Sequence, residues 1–94
     1  MERLSSLLVY VMTEFYSYTK VYTRERGWEA MNAVISEDVQ WLAARLGRSG
    51  NFSGDPNTRW SYLDSDHGLM SYFRVYYFTH VEDYAEFTLC RGNI

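Results

Sequence analysis

The stretch Leu69–Leu89 reads Leu-Met-Ser-Tyr-Phe-Arg-Val-Tyr-Tyr-Phe-Thr (69–79), His-Val-Glu-Asp (80–83) and Tyr-Ala-Glu-Phe-Thr-Leu (84–89). Aromatic and β-branched residues fill both arms, and the four residues between them are mostly polar, which is the pattern of a β-hairpin. Both faces of the longer arm are apolar. One face is therefore expected to meet the rest of the domain and the other to be open to a partner.

Working back from the hairpin, Asp64-Ser65-Asp66-His67-Gly68 reads as a turn. A short strand is expected before it, near Thr58–Leu63. The segment from Arg48 to Asn57, with the chain's single Pro, reads as a loop. Before the loop, Trp28, Met31, Ile35, Val39, Leu42 and Leu46 form a helical stripe ended by Gly47. Ser36-Glu37-Asp38 resembles a fresh amino-terminal cap, so a kink or restart is expected there. Residues 2–22 also fit a helix, because Leu4, Leu8, Val11, Phe15, Tyr18 and Tyr22 follow steps of four and three. A strand reading of 9–22 would mix apolar residues with Thr13, Glu14 and Lys20 on each face. Thr23–Gly27 separates the two helices.

The expected fold class is α+β: a two-helix hairpin packed on a three-stranded antiparallel sheet, in the order α-α-β-β-β. The 94 residues are expected to form a single domain, with a helical half at 1–47, the loop at 48–57 and a β meander at 58–91. Core positions are expected at Leu8, Val11, Phe15, Ile35, Leu42, Trp60, Tyr76 and Phe87. The turns set an expected register in which Thr79 opposes Tyr84, Val75 opposes Thr88, Phe73 opposes Cys90, Leu63 opposes Leu69 and Trp60 opposes Tyr72. One sheet face then holds Trp60, Tyr62, Met70, Tyr72, Tyr76, Phe78, Ala85, Phe87 and Leu89, with Arg74 as its only charge. The other holds Leu69, Ser71, Phe73, Val75, Tyr77 and Thr79, flanked by Ser61, Tyr84, Glu86 and Thr88. The first is richer and should pack on the helices. The second has an apolar centre and polar edges, as an interaction face does.

Composition narrows the function. Hydrophobic residues make up 47% and charged residues 22%, which is ordinary for a globular chain. The aromatic share, 18% with 9 Tyr, is high and suits both a compact core and a contact surface. Nine basic residues against 12 acidic ones, without a basic cluster, offer no footprint for a phosphate backbone, so no direct nucleic-acid partner is expected. The apolar run 7–12 is too short to span a bilayer and has no small-residue cleavage site after it. The single cysteine, Cys90, forms no bridge within the chain. A cytoplasmic location without membrane contact is the expectation. On that reading the acceptor-like triplet Asn51-Phe52-Ser53 is a chance match.

Candidate chemistry falls short of every pattern tested. Asp64, Asp66 and His67 lack the further ligands that calcium or zinc patterns need. His80 and Cys90 are expected at opposite ends of a strand, beyond reach of each other. Gly47, Gly50 and Gly54 follow a helix rather than a strand and lack the closing Lys-Ser or Lys-Thr of a phosphate loop. No catalytic residue, metal or cofactor is therefore assigned. The expectation is a non-enzymatic small binding protein that occupies a surface of a larger protein or complex. Inhibitors and adaptors carried by phages and mobile elements are of this type. Its rival is a homo-oligomeric or small-ligand-binding module, with the sheet face closing a dimer. The expected partner-binding residues are Phe73, Val75 and Tyr77, with Tyr84 and Glu86 on their flank and Glu82, Asp83 and Glu86 steering a basic partner.

Overall fold

A computed structural model describes residues 15–50, 58–66 and 71–92. The described elements are β1 (Tyr16–Thr23), α1 (Trp28–Leu46), β2 (Trp60–Asp66), β3 (Ser71–Phe78) and α2 (Val81–Arg91). The class is α+β, with two described helices and a three-stranded antiparallel sheet, but the order is β-α-β-β-α and not α-α-β-β-β. The sheet order is β1-β3-β2, with β3 antiparallel to both neighbours. Hence β1 and β2 run parallel with β3 inserted between them, a split β-α-β unit.

Two expectations fail here. Tyr16–Thr23 is a strand and not the end of a helix. Its sequence, Tyr-Ser-Tyr-Thr-Lys-Val-Tyr-Thr, alternates large residues with smaller ones, and six of the eight are Tyr, Thr or Val. Those side chains suit a pleated surface, whereas in a helix they lose rotamer freedom. Tyr18 and Tyr22 satisfy a helical spacing and an alternating one equally, and the alternation prevails. Leu8 and Val11 lie outside the described residues.

The second failure is the last element. Val81–Arg91 is a helix and not a strand at 84–90, so the meander does not form and none of the expected pairings with Tyr84, Thr88 or Cys90 exists. Residues 80–83, expected as a hairpin turn, start this helix: the amides of Asp83 and Tyr84 both donate to the His80 carbonyl. Glu82 and Asp83 occupy its first turn and Arg91 its last, a charge order that complements the helix dipole. Asp83 and Phe87, four residues apart, are its buried positions.

The α1 reading holds over Trp28–Leu46, and the helix runs on without a break at Ser36. It ends at Gly47, whose φ of 81° is left-handed and favours glycine. The Trp60 indole donates to the Gly47 carbonyl at 2.7 Å and so ties this helix end to β2.

The observed register places Trp60 opposite Phe78 and Leu63 opposite Val75, not opposite Tyr72 and Leu69. The slip is an even number of residues, so the face assignment of β2 and β3 survives it. On the other side β1 pairs Tyr18 with Tyr76 and Lys20 with Arg74. Even-numbered strand residues therefore share the inner face, under both helices. The core there consists of Tyr22, Met31, Leu42, Trp60, Tyr76, Phe78 and Phe87. Phe87 carries much of the packing, with Tyr76 and Phe78 ring centroids at 4.7 and 5.5 Å and those of Tyr18 and Trp41 near 6 Å. Of the expected core, Leu42, Trp60, Tyr76 and Phe87 are buried, Ile35 is half-buried and Phe15 is 42% exposed.

Candidate functional site

The odd-numbered face of the sheet turns away from the core that the helices cover. Its rows can be read across the strands from the register. Ser17, Tyr77 and Ser61 form one row, Thr19, Val75 and Leu63 the next, and Val21, Phe73 and Ser65 the third. An apolar ridge on β3 is thus bordered mostly by hydroxyl side chains, with Leu63 and Val21 adding apolar area at its sides. Leu63 is 63% exposed and Val21 is also exposed, while Phe73, Val75 and Tyr77 are half-buried. No odd-numbered position of the three strands carries a charge.

The structure brings together Phe73, Val75 and Tyr77 as expected, but separates them from the other assigned residues. Tyr84, Glu86, Glu82 and Asp83 are on α2, against the opposite face of the sheet. Tyr84 packs on the core, with the Phe78 ring centroid at 6.4 Å. Asp83 is buried and takes two hydrogen bonds from Arg59, at 2.7 and 3.1 Å. Glu86 pairs with Arg45 of α1 at 2.8 Å. Glu82 is exposed on the first turn of α2. These groups fasten or cap a helix and do not border the β3 ridge. Leu63, Val21 and Thr19 were not assigned. Their alternation with inward residues is the sequence signal that places them on this face.

Three strand charges, Lys20, Asp64 and Arg74, are on the even-numbered face and are held in ion pairs there. Asp38 on α1 is fully buried. Its carboxylate accepts from Lys20 Nζ at 2.7 Å, Tyr22 Oη at 2.6 Å and Arg91 Nε at 2.8 Å. Lys20 Nζ also donates to the Arg91 carbonyl. Tyr22 spends its one hydrogen on Asp38, so in the 2.6 Å contact between Tyr22 and Tyr76 the donor is Tyr76. One carboxylate thus joins β1, α1 and the end of α2. Burial is the main cause that pushes the Tyr22 hydroxyl well above the ordinary tyrosine range, and the hydrogen bond to Asp38 adds to it. Burial raises Tyr76 in the same way.

Arg74 forms the second inward pair. Its guanidinium meets Asp64 in a two-pronged contact, 2.6 and 3.2 Å, and stacks over the Tyr62 ring at 4.1 Å. Burial alone would raise the Asp64 carboxyl, but hydrogen bonds from Arg74 and Tyr72 and the charge of Arg74 outweigh it, leaving Asp64 below the ordinary carboxylate range. Burial and the hydrogen bond to Asp64 raise Tyr72.

In both pairs the acids and bases are engaged with one another through short hydrogen bonds and ion pairs. Among the described residues no group of three or more His, Cys, Asp or Glu is placed to hold a metal ion. Asp64 is engaged with Arg74, while His67 and Gly68 lie outside the described residues. His80 and Cys90 stand at opposite ends of α2. Gly54 lies outside the described residues, and the amide of Gly50 donates to the Trp60 carbonyl. Among the described residues no helix is long and apolar enough to cross a membrane. Comparisons with family models, curated proteins and solved structures find no match to this chain.

Proposed function

We propose that this chain is a non-enzymatic binding protein that acts by covering a surface of a larger protein with the odd-numbered face of its sheet, in the manner of an inhibitor or adaptor. The observation that supports the reading is the sorting of charge. Lys20, Asp64 and Arg74 all lie on the even-numbered face, where side-chain partners meet them. The odd-numbered face is left with hydroxyl and apolar groups alone. Such a face sheds water at low cost, because no charge has to be desolvated. Phe73 and Tyr77 supply the large rings on which binding energy concentrates, and the flanking Ser and Thr hydroxyls supply hydrogen bonds at the margin.

A neutral face gives association that depends weakly on salt, in contrast to the acid-steered docking that Glu82, Asp83 and Glu86 would give. The test is affinity capture from the source cell with the parent and with Leu63→Asp and Tyr77→Ala, after each variant is shown to fold. The parent should retain a partner that both variants lose, while Glu86→Gln, on the far side, keeps it. Equal retention by all four proteins would refute the reading.

A further inference from the structure

We infer that β1 is a self-pairing edge, through which two copies of this chain join their sheets into one six-stranded sheet about a two-fold axis. The inference concerns the edge of the sheet and does not depend on what its odd-numbered face binds.

Which backbone groups point outward follows from the ladder. Thr79 donates to the Arg59 carbonyl, so residues 59, 61, 63 and 65 turn their backbone toward β3. By the same alternation Tyr72, Arg74, Tyr76 and Phe78 of β3 turn toward β1, where they meet Tyr16, Tyr18, Lys20 and Tyr22. The amides and carbonyls of Ser17, Thr19, Val21 and Thr23 are left facing the outer edge. Among the described residues no strand pairs with them.

The two edges of the sheet are guarded differently. On β2 the outward Trp60 carbonyl already accepts from the Gly50 amide. β1 is eight residues long and has no Pro, no Gly and one charge, Lys20, which turns inward to Asp38. A long edge without exposed charge is the form that pairs with another strand. Beside it, between β1 and α1, runs an open depression of about 370 Å³ whose apolar wall is Val21, Ala30, Met31 and Val34 and whose charged members are Lys20, Glu25 and Arg26.

Charge and face parity choose the occupant and its register. Paired strands must keep odd residues with odd and even with even. Two antiparallel registers do this with near-complete overlap. One sets Lys20 against Lys20 of the second copy, like charges directly opposite, which is disfavoured. The other centres on Thr19. It sets Thr19 against Thr19 of the second copy, Ser17 against Val21, Tyr18 against Lys20 and Tyr16 against Tyr22. Thr–Thr and aromatic pairs are favourable cross-strand neighbours. Tyr16 of the second copy then comes beside Tyr22, where the depression offers Met31 and Val34 as its wall. β1 itself carries no acid.

The experiment uses the full chain. Sedimentation velocity of the parent should show a concentration-dependent dimer, and Thr19→Lys, at an exposed position, should raise its dissociation constant about tenfold or more by placing like charges opposite. Thr19→Cys in a Cys90→Ser background should form a disulfide-linked dimer under mild oxidation, since residues directly opposite lie within disulfide reach. Ser17→Cys in the same background should not, because its copies are offset along the strand. A parent that stays monomeric at every concentration, with the outer amides of β1 either exchanging freely or protected by the chain's own residues, overturns the inference. Crosslinking of Ser17→Cys as readily as Thr19→Cys overturns the register and with it the proposed interface.

Discussion

Replacing Asp38 with Ala would remove a fully buried carboxylate that accepts from Lys20, Tyr22 and Arg91. Lys20 is itself 7% exposed, so its ammonium would be left in the interior with only neutral oxygens as acceptors. Removing one partner of a buried ion pair costs about 3–5 kcal/mol, because the other charge stays uncompensated. The hydrogen bond lost by Tyr22 belongs to the same network and is not added on top. A chain of this length is expected to have roughly 5–14 kcal/mol of stability in all, so the variant should be near its limit. At about 4–8 °C per kcal/mol the melting temperature should fall by roughly 12–40 °C. Urea unfolding followed by tryptophan fluorescence would measure it, since Trp60 is in the core and Trp41 packs against it. The double variant Lys20→Met, Asp38→Leu should recover most of the loss, as apolar pairs often replace buried ion pairs without penalty. An Asp38→Ala protein within about 1 kcal/mol of the parent would refute the reasoning, since a buried pair broken on one side cannot cost so little.

Phe87→Ala should cost about 3–5 kcal/mol, because the ring is fully buried among four aromatic neighbours and leaves a cavity; thermal unfolding tests this. Gly47→Ala should cost about 1 kcal/mol despite open space around the position, because φ is 81° there; the same melts report it. Tyr22, Tyr72 and Tyr76 have raised values in the fold, so the stability they contribute is complete below pH 10 and is lost as pH rises through their folded values. An ultraviolet titration should show Tyr22, Tyr72 and Tyr76 ionising late or only on unfolding. Asp64 has a lowered value, so its contribution is present above the ordinary carboxylate range and is lost as pH falls through its folded value; Asp64→Asn should flatten the acid limb of a stability–pH curve.

The α1 helix and the faces of β2 and β3 were legible in the sequence because each has a strong period that survives an error of register. The two ends were not. Residues 16–22 satisfy both periods, and only the density of Tyr, Thr and Val separates strand from helix. Residues 81–91 place Tyr84 and Phe87 at a helical spacing and also alternate, and the acids Glu82 and Asp83 suit a polar turn as well as a first helical turn. Taken as a strand, this segment puts Tyr84 and Glu86 on the wrong side of the sheet. Asp38 was missed for a related reason. The steps from Met31 to Ile35, Asp38 and Leu42 are four, three and four, so the stripe runs through the acid, but an acid after Ser36 also looks like a cap. Its partner Lys20 becomes an inward residue only once β1 is a strand. The ridge of Phe73, Val75 and Tyr77 was legible because alternation within one strand needs no knowledge of its neighbours.

The central claim is that the neutral sheet face binds a larger protein, and Leu63→Asp tests it most directly. The substitution puts one charge in the middle row of that face, at a side chain 63% exposed, so the fold should tolerate it. The measurement is the amount of partner captured from the source cell by the folded variant relative to the parent. The expected result is a loss of at least about tenfold, the effect of an unpaired charge at the centre of an interface. Undiminished capture by the folded variant would contradict the claim.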